Sequence, residues 1–394
     1  MWARIQKHWS PAKAVGPKQG DMIKMDYKTL LKDSIKAMPE SKRAARQPVS
    51  SYTTPDIYRL NYNESPYGPS PKAIEAMMEA AKRPNIYPDW FSVDLKTTFA
   101  QLHGLPDMMH VCTATGSSSL INILGEVFLN PGEEVILGDP SYEAFRDTAY
   151  VAGAVPVMVP LDADMNYDLD AMLKAITPKT KMMVICNPNN PTGTFIESAK
   201  LEEFIKKVPE SVIVVIDEAY LEFVRNPVTY SMIKMIREGY EKPLLVLKTF
   251  SKAYGMAGLR IGVAAGKPEL ISLLAKSGAA WNINFLGQRM ATEALKDQEY
   301  IAQICELNAI ERRKVTEGLE ALGCKVYKSQ TNFILFKAPE IENTEVAAKL
   351  AEQKILIGSP IGMNRVSLGT AEMNDKFLCV MESILSKKSE KKLA

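Results

Sequence analysis

Histidine is scarce in this chain of 394 residues: His8, His103 and His110 are all there are. None falls in an H-E-x-x-H or comparable ligand spacing, so a metal mechanism has little to stand on and no metal is expected. The five cysteines, Cys112, Cys186, Cys305, Cys324 and Cys379, include no C-x-x-C pair, and four of them lie in apolar stretches. They read as reduced, mostly buried thiols, not as a disulfide framework or zinc site. No apolar run approaches the ~18 residues that span a bilayer. Arg4 and Lys7 near the start are not followed by the apolar stretch of a signal peptide. With 48 basic and 46 acidic residues the net charge is only +2, which gives no general reason to expect nucleic acid or a membrane as partner. The cytoplasm is the expected compartment.

What is present is an ordinary globular composition, 46% hydrophobic and 24% charged, over a length that calls for two domains. Residues 1–46 stand apart: eleven Lys/Arg against Asp21, Asp26, Asp33 and Glu40. This basic extension suits either an acidic partner or, more simply, a loosely held arm with one amphipathic helix near Tyr27–Met38. Helical patterns follow over Pro71–Lys82, Ser92–His103, Leu120–Phe128, Tyr142–Ala152 and Ser198–Val208. Between them lie apolar runs of strand length: Glu134–Leu137, Val155–Val159, Lys181–Cys186, Ser211–Ile216, Leu244–Leu247 and Ile261–Ala265. Apolar strands joined by helices imply an α/β fold with a mostly parallel sheet covered on both faces. A long helix over Ile304–Leu322, strands at Lys325–Tyr327 and Asn332–Phe336 and a closing helix over 374–386 form a smaller α+β unit. The expected division is a large domain over 71–285 and a small one from 47–70 and 286–394.

The chemistry concentrates where strands end. Leu244–Leu247 runs into Thr249-Phe-Ser251-Lys252, followed by Gly255, Gly258 and Arg260. A partly desolvated lysine at a strand end has a lowered pKa and suits imine formation with a carbonyl cofactor. Thr249, Ser251 and the Arg260 fork suit a phosphate. Taken alone, a Ser-Lys pair is an ordinary surface feature. Ser211–Ile216 ends at Asp217, with Tyr220 three residues on, at the edge where open parallel sheets bind ligands. An acid there can pair with the protonated pyridine nitrogen of pyridoxal phosphate (PLP), and Tyr220 can reach the ring's phenolic oxygen; read singly, Asp217 is equally a helix N-cap or a magnesium ligand. Cys186-Asn-Pro-Asn-Asn190-Pro-Thr-Gly193 presents the Asn190 amide at the same edge, though by itself it is a tight loop. Gly116-Ser117-Ser118 precedes an apolar helix whose N-terminus suits a phosphate, or is simply a serine cap. Tyr142, after Asp139-Pro-Ser, can cover a cofactor ring or belong to core or rim.

Together these segments resemble the class I/II aminotransferases of PLP fold type I, and most closely the histidinol-phosphate aminotransferase group. The resemblance runs from about Leu60 to the end. It is carried by Leu60-Asn-Tyr-Asn-Glu-Ser-Pro-Tyr67-Gly-Pro-Ser-Pro, N-P-x-N-P-x-G, D-E-A-Y, and a lysine followed eight positions later by arginine, all in the family's order. It implies that Lys252 is the Schiff-base lysine and proton shuttle, and that Asp217 binds the ring nitrogen. Tyr220 and Asn190 would bind the phenolic oxygen, with Tyr142 stacked on the ring. Gly116, Ser117, Ser118, Thr249, Ser251 and Arg260 would hold the phosphate. Tyr67 is expected to reach the neighbouring subunit's site, which implies a homodimer. Asn364-Arg365-Val-Ser-Leu-Gly369-Thr matches the substrate-carboxylate arginine, and Asn332 stands where the family presents an asparagine near substrate.

One segment departs from the group. Where it carries a second arginine, in a pattern like I-x-V-R, this chain reads Ile355-Leu-Ile-Gly358. The expected reaction is reversible ping-pong transamination between an L-amino acid, aromatic donors first, and a 2-oxo acid. Alternatives are histidinol-phosphate transamination, a PLP-dependent decarboxylase or lyase acting on an amino-acid phosphate, and, from another class, a regulator or binding module acting through the basic arm.

Overall fold

A computed structural model describes residues 30–39, 56–278 and 281–393. The basic extension therefore lies mostly outside the described residues. Of the helix expected over Tyr27–Met38, the described part contains one turn, Asp33–Lys36, with no buried residue; so short a helix with no apolar face to bury has little to hold it.

Strand β1 (Tyr58–Leu60) stands apart from seven strands that form one sheet. These are β2 (Val111–Ala114), β3 (Glu134–Asp139), β4 (Val155–Pro160), β5 (Thr180–Cys186), β6 (Ile213–Asp217), β7 (Leu244–Thr249) and β8 (Gly262–Ala265). Their order is β2-β8-β7-β6-β5-β3-β4, and only β8 runs against its neighbours. The strands lack polar alternation because both faces are covered. Ile136, Met183, Ile185, Val214, Ile216 and Val246 enter one apolar cluster, while their chain neighbours Leu137, Met182, Val184, Val215, Leu245 and Leu247 enter another. The period of two sends successive residues into cores on opposite sides.

The C-terminal part adds β9 (Lys325–Val326), β10 (Phe333–Lys337), β11 (Ile355–Ile357) and β12 (Asn364–Ser367). Strand β10 lies between β12 and β9, antiparallel to both. β1 pairs in parallel with β11, so residues just before the large sheet's segment join elements from the far end of the chain. Leu60, Val315, Ile334, Phe336, Ile355, Val366 and Phe377 share a third apolar cluster.

Several helices differ from the sequence pattern, among them Asn343–Glu352, which was not expected, and the closing helix, which runs Ala371–Leu393. The long one spans Gln298–Ala321, six residues earlier than expected. Before it lies Phe285–Lys296, not among the expected helices, which buries Met290, Ala291, Ala294 and Leu295 together with Gln288 and Thr292. Its start does carry a local signal: the side chain of Asn284 accepts from the Gly287 N–H at 2.7 Å. β2, only four residues long, was likewise not among the expected strands. No helix among the described residues is long and apolar enough to cross a membrane, and none of them form a cluster of three or more His, Cys, Asp or Glu side chains able to hold a metal ion.

Candidate active site

The carboxyl ends of β2, β5, β6 and β7 open at one edge of the sheet, where ligands of such sheets bind. The register brings Cys186, Asp217 and Leu247 abreast across β5, β6 and β7. Asp217 thereby lies between the Asn190 loop and the Lys252 loop. Its carboxylate is buried, and among the described residues accepts only the Ala219 N–H, at 3.1 Å. Burial raises its pKa to about 6, against the pull of that N–H.

Lys252 Nζ donates to the carbonyls of Tyr62 (3.1 Å) and Asn63 (3.2 Å). Desolvation in the cleft, with Arg365 and Arg260 nearby, lowers its pKa to about 8. The other lysine of this segment is held differently. Lys248 points into the protein, 2.8 Å from Glu222 and 3.3 Å from Glu218. Burial works against its charge, but the two carboxylates outweigh that and raise its pKa. One lysine is primed toward a neutral amine and the other locked as a cation.

At the other end of the cleft, Gly116 caps the helix Ser117–Phe128, leaving the first N–H groups of that helix open to an anion. Gly116 has φ +80°, and a Cβ there would stand 2.6 Å from Arg260 Nη2, so a side chain would fill the cradle. Arg260 has φ +56°; its Nη1 donates to Ser251 Oγ at 3.3 Å and to the Ala257 carbonyl at 2.9 Å. Thr249 Oγ1 donates to the same Ser251 oxygen at 3.0 Å. Glycine is required again at Gly255 (φ +68°), where a Cβ would run into the Gly68 carbonyl. That contact presses the N-terminal motif onto the lysine loop.

On the side facing the small sheets, Arg365 Nη1 donates to Asn190 Oδ1 at 2.6 Å and Nη2 to the Asn61 carbonyl at 3.2 Å. Tyr220 is buried, and burial raises its pKa. Tyr142 is half-buried, edge-on to Phe145 with ring centroids 6.4 Å apart. Asn332 Nδ2 donates to the Asn63 carbonyl at 3.0 Å. For Tyr67 the described contacts are its carbonyl, accepting from Tyr300 at 3.2 Å, and the combined effect of burial and the Glu311 charge, which raises its pKa. None of them is to Lys252 or Arg260.

Sequence reasoning passed over Asn63. Its Nδ2 donates to Tyr220 Oη (3.0 Å), and its N–H donates to Ser367 Oγ (2.8 Å), which in turn donates to Asn63 Oδ1 (3.1 Å). Its φ of +56° is one that asparagine tolerates better than most residues. Its place in the Leu60–Tyr67 motif was the available signal. Asn189 was passed over too. It ties the Pro140 carbonyl, Ser141, Tyr167 and Thr192 together at 2.8–3.0 Å, fastening the Tyr142 loop to the Asn190 loop.

A mostly parallel sheet with a lowered-pKa lysine, a buried carboxylate and an anion cradle at its carboxyl edge defines a PLP-dependent enzyme of fold type I. Residues 55–380 match the family Aminotransferase class I and II, and the chain belongs to that family. It is 35% identical over 336 residues to a histidinol-phosphate aminotransferase of Moorella thermoacetica, covering 84% of this chain and 86% of that one. It is 38% identical over 331 residues to an aromatic amino acid aminotransferase of Streptomyces coelicolor, covering 83% and 90%. Among solved structures, the histidinol-phosphate aminotransferase of Sinorhizobium meliloti in complex with pyridoxal-5'-phosphate shares the fold, with a TM-score of 0.79 and 24% identity over 91% of this chain and 98% of that one. The protein is a transaminase with PLP as cofactor. The donor set fits that group: a buried carboxylate for a protonated ring nitrogen, a near-neutral amine, and a cradle beside Arg260 with no room for a side chain.

Proposed function

We propose that the amino donor is an unphosphorylated L-amino acid, aromatic donors first, and that the enzyme works as a cytoplasmic homodimer in which Tyr67 reaches the neighbouring site. The domain division proposed is a large domain over 71–285 and a small one from 47–70 and 286–394. The observation that carries the donor reading is at Gly358. Its N–H donates to the Arg365 carbonyl at 2.9 Å and its carbonyl accepts the Arg365 N–H at 2.7 Å. A Cβ on it would lie 3.5 Å from Arg365 Nη2. Position 358 thus borders the guanidinium and supplies no charge of its own. Lys354, the nearest alternative cation in sequence, is exposed and 3.6 Å from Asp56.

In this reading Lys252 holds PLP covalently and Asp217 faces its ring nitrogen. Tyr220 and Asn190 face its phenolic oxygen, and Tyr142 covers the ring. Gly116, Ser117, Ser118, Thr249, Ser251 and Arg260 take its phosphate. Bound PLP supplies an electron-withdrawing ring that makes the substrate α-proton acidic. Arg365 grips the substrate carboxylate with its planar fork, and Asn332 borders the same space. Once the substrate amine has displaced it, Lys252 Nζ, with a pKa of about 8, would accept the proton from the substrate α-carbon and deliver it to the cofactor's C4′.

A phosphate monoester carries nearly two negative charges, and burying them calls for cationic partners. With glycine at 358, one such contact is missing, a loss of ~1.5–3 kcal/mol. Kinetics with histidinol phosphate and phenylalanine, each as donor to 2-oxoglutarate, should show the higher kcat/KM for phenylalanine. Preference for histidinol phosphate would refute the donor reading.

A further inference from the structure

A transaminase takes two substrates in turn into one cleft. With Arg365 on the carboxylate common to both, whatever selects the 2-oxo acid acceptor must lie elsewhere on that wall. Strand β1 runs parallel to β11 with Arg59 abreast of Leu356. Residues two apart on a strand share a face, so Leu356 shares one with Gly358, whose open side borders the Arg365 guanidinium. In-register neighbours project to the same side of a sheet, which puts Arg59 on the Arg365 face; Leu60, one residue on, enters the apolar core.

The segment that follows wraps the mouth of the cleft. The Asn61 carbonyl accepts from Arg365, the Tyr62 carbonyl accepts from Lys252, and Arg59 Nη2 is 2.9 Å from Glu64 Oε1, both side chains being about one-third exposed. The Arg59 guanidinium also lies 5.8 Å from the Tyr62 ring. A carboxylate thus already bonds one nitrogen of a guanidinium that lies, through its partner Leu356, on the face that Gly358 and Arg365 border. Two guanidinium groups bordering one wall are the chemistry that two carboxylates on one ligand call for.

We infer that Arg59 determines acceptor specificity by binding the distal carboxylate of a dicarboxylic 2-oxo acid, with Glu64 holding its place when no acceptor is bound. The exchange replaces one carboxylate by another, so the charge at Arg59 stays balanced. An ion pair exposed by about a third opens at little cost, and Glu64 stays hydrated when released. An uncharged donor side chain leaves the Arg59–Glu64 pair closed, so one cleft serves an aromatic donor and an acidic acceptor. This rests on the proposed role of Arg365.

The test uses the holoenzyme with phenylalanine as donor and compares KM for 2-oxoglutarate with KM for pyruvate, which lacks the distal carboxylate. R59A should raise the ratio of the first to the second by about 10- to 100-fold, the scale of one lost charge-assisted contact. R59K should restore part of it, because an ammonium lacks the planar fork. E64Q, which frees the fork, should lower the ratio. Both acceptors are measured on one protein, so a folding defect scales them together and leaves the ratio alone. An unchanged ratio in R59A overturns the inference. So does a rise in KM for histidinol phosphate with none for 2-oxoglutarate. The underlying reading fails separately, if R365A leaves KM for both acceptors as it was.

Discussion

The side-chain amide of Asn63 donates to the hydroxyl of Tyr220 at 3.0 Å, while the backbone carbonyl of the same asparagine accepts from Lys252 at 3.2 Å. One residue from the N-terminal motif therefore orients a tyrosine from the β6 edge and the lysine from the β7 edge. Asn63→Ala should cost about 1–3 kcal/mol of stability, through the lost amide and a strained positive φ, and lower kcat. Asn63→Gly accepts the backbone angle but still lacks the amide, so it should regain stability without regaining kcat. Thermal unfolding beside steady-state kinetics separates the two; full activity in Asn63→Gly would show that the amide is idle.

Borohydride reduction of the holoenzyme should fix the cofactor to Lys252. Lys248 is held as a cation by Glu218 and Glu222, whereas Lys252 has a pKa of about 8. Capture of PLP by the cofactor-free protein should quicken about tenfold per pH unit and level off above pH 8, where the amine is already neutral. Peptide mapping that finds the label on Lys248 would overturn the assignment. Lys252→Ala should lose turnover by several orders of magnitude.

Asp217 is an acid whose folded pKa, about 6, lies above its ordinary value. In the cofactor-free protein it therefore favours folding while protonated. That contribution is fully present below about pH 4 and is lost as pH rises through 6. Asp217→Asn should accordingly stabilise the cofactor-free protein at pH 8, by at most about 3 kcal/mol, and still impair transamination. Thermal melts at pH 5 and pH 8 check this: the gain should shrink at the lower pH. An equal gain at both would mean that the carboxylate's charge is not the cause.

Mixed dimers test the proposed role of Tyr67. Subunits carrying Lys252→Ala and subunits carrying Tyr67→Phe should each be impaired. Together they should form heterodimers in which one site has both residues, with activity above either parent. Subunit exchange confirmed by native mass spectrometry without a gain in activity would place Tyr67 outside the neighbouring site.

Gly358→Arg adds a guanidinium beside Arg365, where a Cβ has ordinary contact room of 3.5 Å. It should raise kcat/KM for histidinol phosphate by roughly tenfold, one charge-assisted contact, and lower it for phenylalanine by filling the space. A variant that folds and shows neither change would remove position 358 from the substrate pocket.

Much of this architecture could be read along the chain. The strands of the large sheet stand out because apolar runs covered on both faces need no polar alternation, as in Val214-Val215-Ile216. The loops that end them carry their own punctuation of Gly, Pro and small hydroxyl residues. The helix Phe285–Lys296 was legible but overlooked: Met290, Ala291, Ala294 and Leu295 recur at helical spacing behind an Asn284 cap, whereas the partners of its buried Gln288 are set by packing. Asn63 was overlooked for a similar reason: its partners Tyr220, Lys252, Asn332 and Ser367 are all far away in sequence, and no local pattern announces such a hub.

By itself the sequence determined which lysine and acid stand at strand ends, because these motif residues follow their strands within a few positions. The tertiary structure alone decided their electrostatics. Lys252 is driven toward neutrality only once folding buries it, with Arg365 nearby, and Lys248 toward charge only once Glu222 and Glu218 outweigh its burial. The wall shared by Arg59, Gly358 and Arg365 likewise arises from pairing β1 with β11, two segments nearly three hundred residues apart. Such pairing depends on burying Leu60 and Ile355 in a common core, a long-range packing energy that no window of sequence contains.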